Sequence, residues 1–579
     1  MEAVSDGSRP MTQLAPSVRT RLRTSTFTKT NRWAAFFVAC LLLLGVRNIF
    51  AQETLLSNRV EARDLEGGKT RIYSIALKDG DYAGFSIAQR GTSHLTILRP
   101  DGSLMRRFPE PSDDAENHYA FSAEGTGTYS IHVINPTAQA SHYELKLESA
   151  LSLDERLHSN SVWTDPDPSP RIEALRQQVI LDHVSTDAFW KQVAQEGTPL
   201  VEPFGTDGVY QLVTFLWRAT HETRNVLVLG SLSVPGIARM DYAMHRMSDT
   251  DLWYWTVKLP RGARFSYRLS PNDPLAADGP RADQRIATVQ SDPLNPHRLE
   301  CSPDATRFAC RSLAELPGAP PKPWLVKKAG TPEGKVEAQT IHSNIQKLDR
   351  EVSIYTPAGY TPNGTPNRLL MLFDGDEYLS PSMGITVTMD NLIAAHKIPP
   401  TVVLLVFNPD GQRLKDLVAN PEFADSMAKE VIPWVWAKYN VTHDAAQTVV
   451  GGYSAGGLAA NYMALRYSNV FGNVISHSGA VWWSPEQGIY DRAPSIEGNW
   501  MARKFAEGPK LPVRFYIEAG AFEFDSNGRG GDILEASREL RDVLEAKGNE
   551  VHYHQFVGGH DALSWPGTIA DAIIELLGS

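Results

Sequence analysis

Seven short apolar runs mark the second half of this chain: VSIYTP, RLLMLFDG, TVVLLVFN, TVVGGY, GNVISHSG, PVRFYIEAG and VHYHQFVGG. Amphipathic stretches separate them, clearest in FADSMAKEVIPWVWAKY, GGLAANYMALRYS, ILEASRELRDVLEAKG and TIADAIIELL. A strand that is apolar along its whole length has to be covered on both faces. Helices lying between such strands supply the cover and make the connections parallel. Residues 336–579 are therefore predicted to form a mostly parallel sheet with helices on both faces.

The first half follows a different rule. In residues 53–150, RIYSIAL, YAGFSIAQ, TYSIHVIN and HYELKLE alternate apolar with polar residues between DGD, PDG and EGTG turns. A period of two puts one side of each strand inward, which predicts a small β-sandwich. It resembles the pre-peptidase-type accessory sandwich of exported bacterial hydrolases. The Pro/Asp/Ser-rich residues 151–170 read as a linker. A second sandwich is predicted within residues 171–317, where VYQLVTFLWRA, NVLVLGSL, LWYWTVKLP and ARFSYRLS follow a short helical piece. GAPPKPWLVKKAGTPEGK, residues 318–335, is the next linker.

The amino terminus reads as an export leader. Several arginines and Lys29 precede AAFFVACLLLLGV, an apolar run too short to span a bilayer but suited to a secretory signal. Cleavage after Ala51 would remove residues 1–51 as a signal peptide, and Met11 is an alternative start. The expected product is periplasmic or secreted, with no stable membrane insertion; an uncleaved anchor is the alternative. It would carry 49 Lys and Arg against 65 Asp and Glu. So acidic a chain is a poor general ligand for nucleic acid. The two cysteines beyond the leader, Cys301 and Cys310, could close a hairpin in an oxidising compartment or remain separate buried thiols.

The chemistry centres on Gly452-Tyr453-Ser454-Ala455-Gly456. Ser454 follows the apolar QTVV and precedes a predicted helix, so it lies at a strand-to-helix turn. Glycines at 452 and 456 let strand and helix approach, and the hydroxyl emerges at the carboxyl end of the sheet. A neutral alcohol needs a base. His552 and His554 share one face of their strand, whereas His560 lies on the glycine-freed loop VGGHDALSW and is taken as the base. The acid should follow the preceding strand; Glu523 is favoured over Asp525 and Asp532, and Glu518 lies within the strand itself. The oxyanion donors are expected to be the amide of Ala455 and, from Asp374-Gly375-Asp376, the amide of Asp376, although DGD also reads as a plain turn. The fold class is thus an α/β-hydrolase catalytic domain preceded by two β-sandwich domains.

These residues resemble the enterochelin esterase family over about 185–579. GGYSAGG looks like its nucleophile elbow, EAGAFE its acid loop and GGHDALSW its histidine loop, while SHSGAVWW, FDGDEY, VTFLWRA and DPLNPHRL also match. The resemblance implies a serine esterase that hydrolyses the lactone of a catecholate siderophore, ferric or iron-free, through an acyl-enzyme. Trp482 and Trp483 could stack on aryl rings or pack in the interior. Arg413, placed as in the family, could meet anionic catecholates or remain a solvated surface charge. No zinc-like ligand spacing appears, so neither metal nor other cofactor is expected, and iron would arrive with the substrate. The leader and residues 53–150 depart from the family's usual plan, which is typically cytoplasmic. The alternatives are a carbohydrate-ester esterase, feruloyl or acetyl, and a non-catalytic binding protein.

Overall fold

The computed structural model describes residues 53–55, 59–108, 116–156, 169–232, 242–275, 284–299, 301–302, 305–486, 499–524 and 532–578. The expected leader, residues 1–51, lies outside them.

The alternating segments form the first sandwich. One sheet runs Glu53–Thr54, Thr70–Leu77, Gly127–Ile134, His94–Leu98, Leu104–Arg107; the other runs Val60–Leu65, Ser141–Leu151, Tyr82–Arg90, Glu116–Ser122. In Gly127–Ile134 the inward residues are Tyr129, Ile131 and Val133, as a period of two requires. They meet Phe85, Phe121 and Tyr143 in one core.

The second sandwich pairs a sheet of order Leu200–Phe204, Tyr210–Arg218, Leu252–Pro260, His245–Arg246 with one of order Val226–Gly230, Arg264–Pro271, Arg311–Glu315, Arg298–Leu299. Its core is aromatic: Phe215, Trp255, Phe265 and Tyr267 are all buried. The helices Pro170–Asp182 and Asp187–Glu196 cover Leu216, Leu252 and Tyr254 on the outer face. A Cys301–Cys310 disulfide ties the last two strands of the second sheet, with Cα atoms 5.2 Å apart.

Neither predicted linker runs free among the described residues. In the first, Arg156 is buried and donates from Nη2 to the Asn272 carbonyl at 2.9 Å. In the second, the carbonyls of Trp324 and Val326 accept from the Asn391 side chain at 2.8 and 2.9 Å, which lays that segment along the helix Ile385–Ala394.

The third sheet has eight strands in the order Lys335–Ser343, Leu348–Thr356, Thr401–Val406, Arg368–Phe373, Thr448–Tyr453, Asn473–His477, Arg514–Gly520, Val551–Phe556. The first two pairings are antiparallel and the remainder parallel. The sheet is covered on both faces. On one, Leu458 and Leu540 come from the helices Ala455–Arg466 and Ile533–Ala546. On the other, Met389 and Ile569 come from Ile385–Ala394 and Trp565–Leu577.

Candidate active site

Ser454 sits between the fully buried strand Thr448–Tyr453 and the helix Ala455–Arg466. Its backbone is at φ 55° and ψ −120°, a strained conformation that costs an L-residue about 1–3 kcal/mol. Neighbouring turns hold it there: its N–H donates to the His477 carbonyl at 3.0 Å, and its carbonyl accepts from the Ala480 N–H at 2.9 Å. A Cβ at Gly452 would lie 2.7 Å from the Gly456 carbonyl carbon, so glycine is what lets the strand enter the helix so tightly. The strain turns the hydroxyl out at the carboxyl end of the sheet.

Two further loops from that end converge on it. His560 follows the strand Val551–Phe556, and its Nε2 lies 3.0 Å from Ser454 Oγ. Its Nδ1 lies 2.9 Å from Glu523 Oε1, on the loop after Arg514–Gly520. Glu523 is buried, and its Oε2 accepts the Gly520 N–H at 2.8 Å. The structure thus brings Ser454, His560 and Glu523 together in line. Asp532 instead caps the helix Ile533–Ala546, accepting from the Glu535 N–H at 2.8 Å, and Asp525 lies outside the described residues. His552 and His554 both turn toward Glu575, at 2.9 and 3.0 Å.

An aromatic column supports the imidazole from below. His560 meets the edge of Trp565 at 5.2 Å, Trp565 stacks on Tyr453 at 4.6 Å, and Trp565 donates its indole N–H to Ser478 Oγ at 3.0 Å. Beneath this column lie two buried ionisable groups. Burial pushes Glu518 up to about 8, although the hydroxyls of Thr568 and Tyr516 donate to it at 2.6 and 3.2 Å. Burial lowers His477 to about 3 and keeps it neutral.

The hydroxyl opens into a cleft of about 710 Å³, one wall of which belongs to the second sandwich. Trp482 lines it; Trp483 does not. The Trp483 ring is buried in the interior of the third domain, edge-on to Trp500 at 6.3 Å, so its role is packing. Arg413 is held by an acidic partner beside the elbow. Its Nε and Nη2 each donate to the buried Asp374 carboxylate at 2.7 Å, and the guanidinium lies over the Tyr453 ring. Two of its five N–H donors are thereby engaged, while the side chain stays partly exposed. Ala455 begins the elbow helix, and Asp376 lies in the first turn of Gly375–Leu379, where amides have no partner within the helix. Asp376 does not itself line the cleft. Among the described residues, the arginines that do are Arg268 and Arg311 of the second sandwich. Nothing local in the sequence marks a strand arginine as facing another domain.

This sheet order, with a strained serine at the strand-to-helix turn, defines an α/β-hydrolase with a β-rich amino-terminal region. Residues 343–576 match a family model described as putative esterase, and residues 212–325 match one described as enterochelin esterase, N-terminal. The iron(III) enterobactin esterase of Escherichia coli O6:H1 is 30% identical over 383 residues, which cover 63% of this chain and 90% of that one. The solved ferric enterobactin esterase of Salmonella typhimurium is 26% identical, with 67% of this chain and 98% of that one covered at a TM-score of 0.52. The Shigella flexneri enterobactin esterase, solved in the presence of enterobactin, is 26% identical, with 68% and 98% covered at a TM-score of 0.50. The chain belongs to the enterochelin esterase family. Neither family model reaches the first sandwich.

Proposed function

We propose that this protein is an exported serine esterase that opens ester bonds of a catecholate siderophore through an acyl-enzyme. The observation that carries the reading is the continuous contact from Ser454 Oγ through the imidazole of His560 to the buried Glu523. Ser454 donates its proton to Nε2 as Oγ bonds to the carbonyl carbon, and Nδ1–H stays on Glu523, which fixes the tautomer and stabilises the imidazolium. The amides of Ala455 and Asp376 take the oxyanion. As the tetrahedral adduct collapses, the C–O bond to the alcohol breaks and Nε2 returns the proton to that oxygen. Water repeats the sequence on the acyl-enzyme and frees the acid. Arg268 and Arg311 favour an anionic substrate, and Trp482 offers a ring face to an aryl group. The relatives' printed names supply the substrate class. Export is proposed from the leader, and the Cys301–Cys310 disulfide is in keeping with it.

Purified protein is expected to react with a fluorophosphonate probe and to lose that labelling in Ser454→Ala. It is expected to hydrolyse ferric or iron-free enterobactin faster than feruloyl or acetyl-sugar esters. Preference for a sugar ester would replace the substrate class and leave the chemistry standing; an unlabelled wild-type protein would remove both.

A further inference from the structure

The histidine loop is not held by its own domain alone. Beyond the strand Val551–Phe556, the Val557 carbonyl accepts the Arg264 N–H at 2.9 Å, and Gly558 makes a parallel bridge to Arg264, on an inner strand of the second sandwich. Gly559 then runs so close to that sandwich that a Cβ would fall 1.6 Å from the Ser231 carbonyl oxygen. Asp561, directly after His560, is buried. Its Oδ2 accepts from the Ser266 N–H at 2.9 Å and from the Ser231 hydroxyl, and its Oδ1 accepts from the Leu563 N–H at 3.1 Å. The acid loop is gripped from the same side: Phe522, next to Glu523, is buried in the aromatic core of the second sandwich, edge-on to Phe265 at 6.3 Å.

We infer that Asp561 is a positioning residue, which pins the histidine loop to Ser231 and Ser266 so that the second sandwich sets where the imidazole stands over Ser454. His560 and Asp561 are consecutive, so a backbone shift that follows loss of the carboxylate's anchor carries the adjacent ring with it. A displacement of about 1 Å at a proton-transfer contact costs roughly 10²-fold in rate. The surroundings make the anchor expensive to lose. Burial raises the Asp561 carboxyl from its ordinary value, and the Ser231, Ser266 and Leu563 donors oppose that rise by satisfying its oxygens in the seam. The second sandwich then acts as the frame that completes the relay, besides walling the cleft.

The inference rests on the proposed Ser454–His560–Glu523 relay, and the test separates the two. In the full-length chain, Asp561→Asn, Ser231→Ala and the double variant are compared with wild type. The readouts are hydrolysis of a neutral p-nitrophenyl ester and the rate of fluorophosphonate labelling. Asp561→Asn keeps the size of the side chain but sets an amide N–H against a backbone donor. It is expected to lower kcat and the labelling rate by about 10²-fold, with KM unchanged within about twofold. Ser231→Ala, a mild truncation, is expected to lower both by about tenfold, and the double variant to be no worse than Asp561→Asn. Additive losses, a change in KM at constant kcat, or full activity in Asp561→Asn would overturn the inference while leaving the relay intact. A wild-type chain that does not label would overturn both.

Discussion

Glu523 offers the sharpest test of the site among single residues. Its carboxylate is committed at one oxygen to His560 and at the other to the Gly520 amide, so a change of one atom alters the tautomer without altering the packing. Glu523→Gln is expected to lower kcat by about 10⁴-fold with little change in KM, read from steady-state hydrolysis of a p-nitrophenyl ester. The neighbouring Glu518 has a different consequence. In the unfolded chain it titrates near 4.5, and in the fold it is raised to about 8. Folding therefore binds a proton between those values. The stability this site contributes is full below the lower value and is lost as pH rises through the window, at about 1.4 kcal/mol per pH unit. Glu518→Gln cannot ionise, so urea titrations from about pH 5 to pH 8 should show a flatter decline than wild type. Ser454, His560 and Glu523 were legible because each lies on a glycine-marked loop after an apolar run. The Arg413–Asp374 pair was not legible for the opposite reason: the partners are 39 residues apart, and no spacing rule pairs them.

Among the elements, the parallel strands and their helices followed the sequence closely. Strands that lie at edges or are very short did not stand out. Lys335–Ser343 buries only two of its nine residues, so it lacks the apolar run that marked the others. FADSMAKEVIPWVWAKY reads as one helix, yet the structure widens it to a π-turn at Met427–Val431 before resuming at Ile432–Lys438. Pro433 explains the widening: it has no N–H to give, and its ring would strike the carbonyl four residues back. Close by, the buried Arg350 donates from Nη2 to Asp416 Oδ2 at 2.8 Å and from Nη1 to the Phe407 carbonyl at 3.0 Å, joining the strand Leu348–Thr356 to the short helix Arg413–Leu417. Asp416→Ala would strand that guanidinium in the interior. It is expected to destabilise the protein by about 3–5 kcal/mol in urea unfolding, with kcat of the remaining folded enzyme nearly unchanged.

At the scale of the whole molecule, residues 53–579 form one compact unit, and the cleft spans two of its three layered parts. Composition shifts revealed the three parts, but how they meet is a matter of long-range contact that no local pattern records. The same is true of Asp561, Trp565, Arg268 and Arg311. If the arginine wall reads substrate charge, Arg268→Gln and Arg311→Gln should each raise KM for an anionic catecholate ester by about tenfold. Neither should change the kinetics of a neutral p-nitrophenyl ester, and equal effects on both substrates would refute the assignment. This wall stands beside the disulfide: Arg268 donates from Nε to the Cys310 carbonyl at 3.1 Å, and Arg311 is the next residue. Thiol reductants should therefore blur selectivity before they slow turnover. An enzyme stranded in a reducing compartment would still cut esters while no longer choosing among them by charge.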